Sequence, residues 1–314
     1  MCPTSLSLSS VPSLPLLGDR WQATLGWQPN VTQQQQFQQL YEQILLGNRS
    51  LNLTRITDPN EFWEKHLWDS LSGIQQYLEP RLTSSAEGAS TEDASAKEAP
   101  AETVSPSDDS SSDPDLKSDP NLKVASDSDA ALDADGSLDP EVPSSSLRVI
   151  DIGTGAGFPG IPIAIARPDM QVTLLDATRK KIAFLDDLCE QLQLPNASGF
   201  AERVETVGRD AAHRACYDFA TLRAIAPAVV CAEYALPLLK LGGTAILYRG
   251  QWSDEEHALL TQVMGQLGGA IAQVEAFTTP LTESVRHCVY LQKLVNTPKQ
   301  FPRSAGIPSQ KPLG

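Results

Sequence analysis

The run Val149-Ile150-Asp151-Ile152-Gly153-Thr154-Gly155-Ala156-Gly157-Phe158-Pro159-Gly160 constrains the fold more than any other stretch of the chain. An apolar strand leads straight into a turn with glycine at alternate positions, where missing Cβ atoms let a ligand come up to the backbone. A tight strand-to-helix connection with no ligand is the plainer reading of the turn alone. From 147 to about 293, strand and helix patterns alternate, which requires crossover connections and a mainly parallel sheet covered by helices. Predicted strands cover 147–152, 172–176, 217–222, 244–248 and 287–293, with helices between them. The fold class is α/β with a Rossmann-like core.

A dinucleotide site calls for G-x-G-x-x-G, its pyrophosphate held by the next helix N-terminus. Here Phe158 stands at the sixth position, and the spacing is D-x-G-x-G-x-G. Asp151 opposes a pyrophosphate but suits a cationic aminoacyl group, which favours a sulfonium nucleoside, S-adenosyl-L-methionine. The second half of the signal is Asp176, 23 residues past Gly153 and at the end of the next predicted strand. A carboxylate there can accept both ribose hydroxyls of an adenosine. Gly153, Gly155, Asp151 and Asp176 are therefore candidate cofactor residues, with Ala177 and Thr178 on the adenine side.

Further along, Val204 and Glu205 lie where an adenine-contacting loop is expected, with Asp210 as a competitor. Arg223 follows a strand directly, at the sheet edge where open α/β folds bind ligands. Either a substrate-facing guanidinium or a buried pair with an acid fits that position. The Arg179-Lys180-Lys181 run reads more readily as a solvated helix face than as an RNA patch. His66, at helical spacing from Asp69, is expected to hydrogen-bond that carboxylate rather than act as a base.

The net charge of −15 disfavours nucleic acid until its distribution is considered. Residues 82–146 hold 16 acids and 3 lysines, whereas the rest of the chain holds 23 acids and 21 bases. That segment, rich in Ser, Asp, Ala and Pro, cannot bury enough apolar surface to offset ordering entropy, and reads as a disordered acidic insertion. Residues 1–19 read as a disordered lead. A helical lobe follows over 20–81: Phe37, Leu40, Tyr41, Ile44 and Leu45 keep helical spacing, and a second helix starts with Asp58 as N-cap and Pro59 at the first position. The core spans 147–293 and a basic tail 294–314. The five cysteines form neither a C-x-x-C pair nor a zinc-ligand cluster, so no metal is expected. With no secretory leader or membrane-length apolar run, a cytoplasmic protein without membrane partners is expected.

The run from Asp151 to Pro162, with Arg223-Ala224 and Tyr248-Arg249-Gly250, resembles the ribosomal RNA small-subunit methyltransferase G family, also called glucose-inhibited division protein B. Asn48-Arg49-Ser50-Leu51-Asn52-Leu53-Thr54 and His66-Leu67-Trp68-Asp69-Ser70-Leu71 are similar to that family's N-K-x-x-N-L-T and R-H-x-x-D-S-L signatures, with Lys65 where its arginine is usual. The tail with Lys299, Pro302, Arg303, Gly306 and Lys311 is similar too, while the acidic insertion departs from the family.

The resemblance implies a class I S-adenosylmethionine-dependent methyltransferase that methylates N7 of a guanine in 16S ribosomal RNA, as naked RNA or in the small subunit. It implies cofactor contacts at Gly153, Phe158, Asp176, Ala177, Thr178, Val204, Glu205 and Arg223. Guanine itself would be read by Arg223, Arg249 or Asn48, with no general base. The competing readings are a methyltransferase on a small molecule or protein, and a noncatalytic S-adenosylmethionine-binding interaction protein. A nicotinamide dehydrogenase fails on Phe158.

Overall fold

The computed structural model describes residues 11–79 and 146–314, so the acidic insertion expected over 82–146 lies, but for its last residue, outside the described residues. The N-terminal part is helical: α1 (Gly18–Leu25), α2 (Val31–Leu51), and a broken helical run of α3 (Pro59–Phe62), a π-helical turn (Trp63–Trp68) and α4 (Asp69–Ser72). Asn30 caps α2 with a reciprocal capping box to Gln33. Asp58 caps α3 through the Asn60 and Glu61 N–H groups, with Pro59 in the first turn, as its sequence predicts.

The lead expected to be disordered through residue 19 is already placed by residue 11. Val11, Leu14 and Leu17 pack on the apolar cluster, and the Leu14 N–H donates to the Gln38 side chain at 2.8 Å. These three side chains supply apolar area that the lobe covers.

The remaining elements are β1 (Arg148–Ile152), α5 (Gly160–Ala166), β2 (Gln171–Asp176), α6 (Arg179–Gln191), β3 (Ala197–Ala201), α7 (Val204–Val207), β4 (Tyr217–Arg223), α8 (Ala228–Ala235), β5 (Leu239–Arg249), α9 (Asp254–Leu267), β6 (Gly269–Thr278), β7 (Val285–Lys293) and α10 (Ile307–Gln310). The strands form one sheet in the order β3-β2-β1-β4-β5-β7-β6. β1 to β5 are parallel and β7 runs antiparallel between β5 and β6. Strands β3 and β6 are absent from the five predicted from sequence. The Ala-Ser-Gly-Phe-Ala run of β3 has weak strand propensity, and β6 alternates too loosely to stand out.

Alternate residues divide the core in two. Val149, Val172, Leu174, Phe219, Ile246, Tyr248 and Tyr290 face one apolar cluster, which also holds α2, α5, α6 and the lobe. Ile150, Ile152, Leu175, Ala220, Leu222, Ala245, Leu247 and Leu291 face the other, under α8 and α9. The lobe is thus not a separate body but part of the helical layer on one sheet face. The Tyr248 hydroxyl donates to the Ser70 carbonyl at 2.8 Å, and the Gln33 side chain to the Ile165 carbonyl at 3.0 Å. A methyl on Gly73 would lie 2.6 Å from the Tyr248 ring, so glycine allows this close approach.

The tail is folded against the core as well. Arg214 donates to the Thr297 and Phe301 carbonyls, Phe301 is buried, and Arg303 forms a bidentate pair with the buried Glu233. The segment expected to be a basic tail therefore spends its arginine on an internal acid.

Candidate cofactor site at the carboxyl edge of the sheet

In this strand order the chain leaves β1 toward β2 on one side and returns at β4 on the other, which opens a crevice beyond their carboxyl ends. The glycine turn fills that point. Gly153, Gly155 and Gly157 have φ of +66°, +61° and +95°, so the alternation seen in sequence reflects three left-handed backbone positions.

Two acids hold the turn from opposite sides. Asp176, at the end of β2, accepts the Gly155 N–H at 3.2 Å on one oxygen and the Thr178 N–H at 2.8 Å on the other. Its side chain keeps 12% exposure, Lys181 Nζ lies 3.8 Å from the oxygen that takes Gly155, and lone pairs beyond the two backbone hydrogen bonds remain for hydroxyl donors. A Cβ on Gly155 would meet nothing nearer than the Gly153 carbonyl oxygen at 3.8 Å, which leaves room beside the turn. An open backbone flanked by a carboxylate able to accept two hydroxyls fits the ribose end of an adenosine.

Asp151 is placed differently from its expected role. Its carboxylate is fully buried behind the turn, where it accepts the Gly160 N–H at 2.8 Å and the Thr221 hydroxyl at 2.9 Å. Burial pushes its carboxyl up to about 6, against the pull of those hydrogen bonds and of the Arg223 charge. Asp151 thus fixes the start of α5 to β4, with both carboxylate oxygens engaged inside the core. Thr221, its register partner across the β1–β4 ladder, went unnoticed in the sequence. The signal is one hydroxyl within the apolar Phe-Ala-Thr-Leu stretch.

Phe158 is buried where the lobe meets the turn. The His66 ring stacks on it with centroids 4.3 Å apart and planes at 6°, the Phe62 ring meets its edge, and the Arg223 guanidinium lies 5.5 Å from its centroid. Arg223 donates to the Lys65 carbonyl at 2.9 Å and to Asp69 at 3.1 Å, with His66 Nδ1 at 3.3 Å. The expected His66–Asp69 hydrogen bond is thus replaced: Asp69 takes Arg223, and His66 Nε2 pairs with the Thr54 hydroxyl at 2.8 Å. The π-helical turn that carries His66 shifts residues 63–68 out of ordinary helical phase, which spacing rules do not foresee. Burial, then the charges of Arg223 and Lys65, push the imidazole down to about 3, so it is neutral.

The other candidates fall into two groups. Ala177 and Thr178 are exposed beside Asp176 at the mouth of the crevice, and Gly153 is half-buried there with Ile225 against it. Val204 is half-buried at the start of α7, but Glu205 points inward, accepting the Gly306 N–H at 2.8 Å and the Tyr234 hydroxyl. Asp210 is exposed and accepts the Ala212 N–H. Asn48 is spent on Thr54, to which it both donates and accepts, and Arg249 on the Ala226 carbonyl and Glu256. Neither is drawn to the crevice.

Glu64, also missed, is buried in the π-helical turn and accepts the Leu281 and Thr282 N–H groups, clamping the lobe to the β6–β7 loop. Among the described residues no group of three or more His, Cys, Asp and Glu side chains could hold a metal ion, and no helix is long and apolar enough to cross a membrane.

The family model of rRNA small subunit methyltransferase G matches residues 33–83 and 137–288. The ribosomal RNA small subunit methyltransferase G of Nostoc punctiforme is 46% identical over 300 residues, covering 96% of this chain and 98% of its own length. That of Synechococcus elongatus is 46% identical over 294 residues, covering 94% and 96%. Among solved structures, the antibiotic-resistance methyltransferase Kmr is 15% identical over 48% of this chain and 88% of its own, with a TM-score of 0.41. The sheet, its glycine turn and its helical layers form a Rossmann-like class I methyltransferase core. With the family model matched over more than half of the chain and relatives 46% identical along nearly their whole length, the chain belongs to the ribosomal RNA small subunit methyltransferase G family.

Proposed function

We infer that the protein transfers the methyl group of S-adenosylmethionine to N7 of one guanine in 16S ribosomal RNA, and acts in the cytoplasm. The observation that carries this reading is the Gly153–Gly157 turn facing Asp176 at the β1/β4 crevice, in a chain of this family.

S-adenosylmethionine supplies an electrophilic methyl carbon on a sulfonium. Asp176 would accept the ribose hydroxyls, the turn backbone would take the aminoacyl end, and Ala177, Thr178 and Val204 would flank the base. Phe158 and Arg223 act through the walls of the site, since both are held by the lobe. Guanine N7 carries a free lone pair, so attack on the methyl carbon requires no prior deprotonation. The chain's contribution is then alignment and exclusion of water, in which orientation supplies most of the rate. Neutral His66 is held on both ring nitrogens, in keeping with a role in positioning rather than proton transfer.

The reading is tested by mapping N7-methylguanosine in 16S RNA from cells lacking the gene. Loss of one modified guanine is expected, and retention of every such mark would overturn it.

A further inference from the structure

Cations are distributed unevenly over the two edges of the sheet. At the amino edge each is partnered: Lys240 with Asp218 at 2.9 Å, Arg167 with Asp169, and Arg148 over the Tyr217 ring at 4.8 Å. At the carboxyl edge Lys181, Arg223 and Arg249 pair with Asp176, Asp69 and Glu256, but Arg179 and Lys180 after β2 and Arg203 after β3 are exposed and without an acidic partner among the described residues. Arg49 and Arg55 are exposed as well and have no acidic partner among the described residues. Their loop is tied to the same edge through Thr54, His66 and Arg223, and to α6 through Gly47, where a methyl would come within 2.5 Å of the Phe184 ring.

Neighbouring acids are engaged elsewhere. Glu202 accepts the Arg203 N–H, Asp186 the Gly199 N–H, Glu61 pairs with Lys65, and Asp58 caps α3. Helix stability does not account for the α6 cations either, because positive charge in a first turn opposes the helix dipole.

We propose that Arg49, Arg55, Arg179, Lys180 and Arg203 form the surface that takes the phosphate backbone of the RNA and aims it across the methyl-transfer crevice. This rests on RNA as the substrate. The five charges flank Asp176 and the glycine turn on two sides, so a strand lying on them crosses the crevice mouth. The exposed lysines of the tail, Lys299 and Lys311, lie on a segment that packs on α7 and α8 rather than on the lobe or α6.

The test uses the full chain with Arg49→Gln, Arg55→Gln, Arg179→Gln and Lys180→Gln combined, beside a Lys299→Gln/Lys311→Gln control. Binding to 16S RNA is measured against salt, and cofactor affinity by calorimetry. Each phosphate contact contributes about 0.7–0.9 to the slope of log K against log salt, so the fourfold variant should lose about 3 from it. Cofactor affinity should stay within about twofold and the control should keep the wild-type slope. An unchanged slope in the fourfold variant, or an equal loss in the control, overturns the surface. Wild-type protein that shows no salt-dependent RNA binding overturns the RNA reading itself. Should the fourfold variant fold poorly, Arg49→Gln and Lys180→Gln singly should each lower the slope by about 0.8, and no change in either would refute the assignment.

Discussion

The neutral imidazole of His66 lies face to face on the Phe158 ring, 4.3 Å between centroids, and so joins the helical lobe to the residue that ends the glycine turn. A cation in that place would sit between the Arg223 guanidinium and an apolar wall.

His66 is therefore expected to make the fold acid-sensitive. Its folded pKa of about 3 lies below the unfolded value near 6.5, so the unfolded chain binds the proton first and stability falls as pH drops through 6.5 toward 3. Between pH 7 and 5 the wild type should lose about 2 kcal/mol more than His66→Gln, read by denaturant unfolding. Asp151, raised to about 6, opposes this in the wild type below pH 6, and comparison with the variant cancels its contribution. Equal losses in both proteins would show that His66 titrates normally.

Arg223 and Asp69 are side chains only 15% and 13% exposed. Removing one partner strands a buried charge, so Asp69→Ala should cost about 3–5 kcal/mol. The double variant with Arg223→Met should recover part of that, and additive losses in a double-mutant cycle would argue that the pair is not coupled.

Asp176 offers lone pairs to a ribose while bracing the turn. Hydrogen bonds to a charged group contribute about 1.5–3 kcal/mol, so Asp176→Ala should weaken S-adenosylmethionine binding by at least about tenfold in calorimetry. Unchanged affinity would remove Asp176 from the ribose role.

Asp151 gives the turn its internal brace. Asp151→Ala leaves the Gly160 N–H and Thr221 hydroxyl buried without their acceptor, a cost of about 1–3 kcal/mol each. The melting temperature should fall, and a melt identical to wild type would show that other groups take over.

At Gly153 the backbone has φ +66° and a Cβ would lie 2.8 Å from Ile225 Cδ1. Ile225 can turn aside, but the left-handed backbone cannot be relieved, so Gly153→Ala should cost about 1–2 kcal/mol and weaken cofactor binding. A variant as stable as wild type would mean that the turn adopts another path.

Local rules made much of this protein legible in its sequence. The Asp58–Pro59 helix start, the α2 stripe of Phe37, Leu40, Tyr41 and Ile44, and the left-handed glycines follow from capping, period and the missing Cβ, which depend on near neighbours only. The sequence motifs also placed Asp176 at the end of β2, beside the glycine turn.

What only the tertiary structure decided is where the charged groups point. Asp151 turns inward because Thr221 and Gly160 lie behind it, 70 and 9 residues away. Arg223 is claimed by Asp69, 154 residues away, because a π-helical turn brings the Lys65 carbonyl and Asp69 onto it. A side chain's partner in a folded core is set by long-range packing and the cost of leaving a buried charge unpaired, neither of which local spacing records.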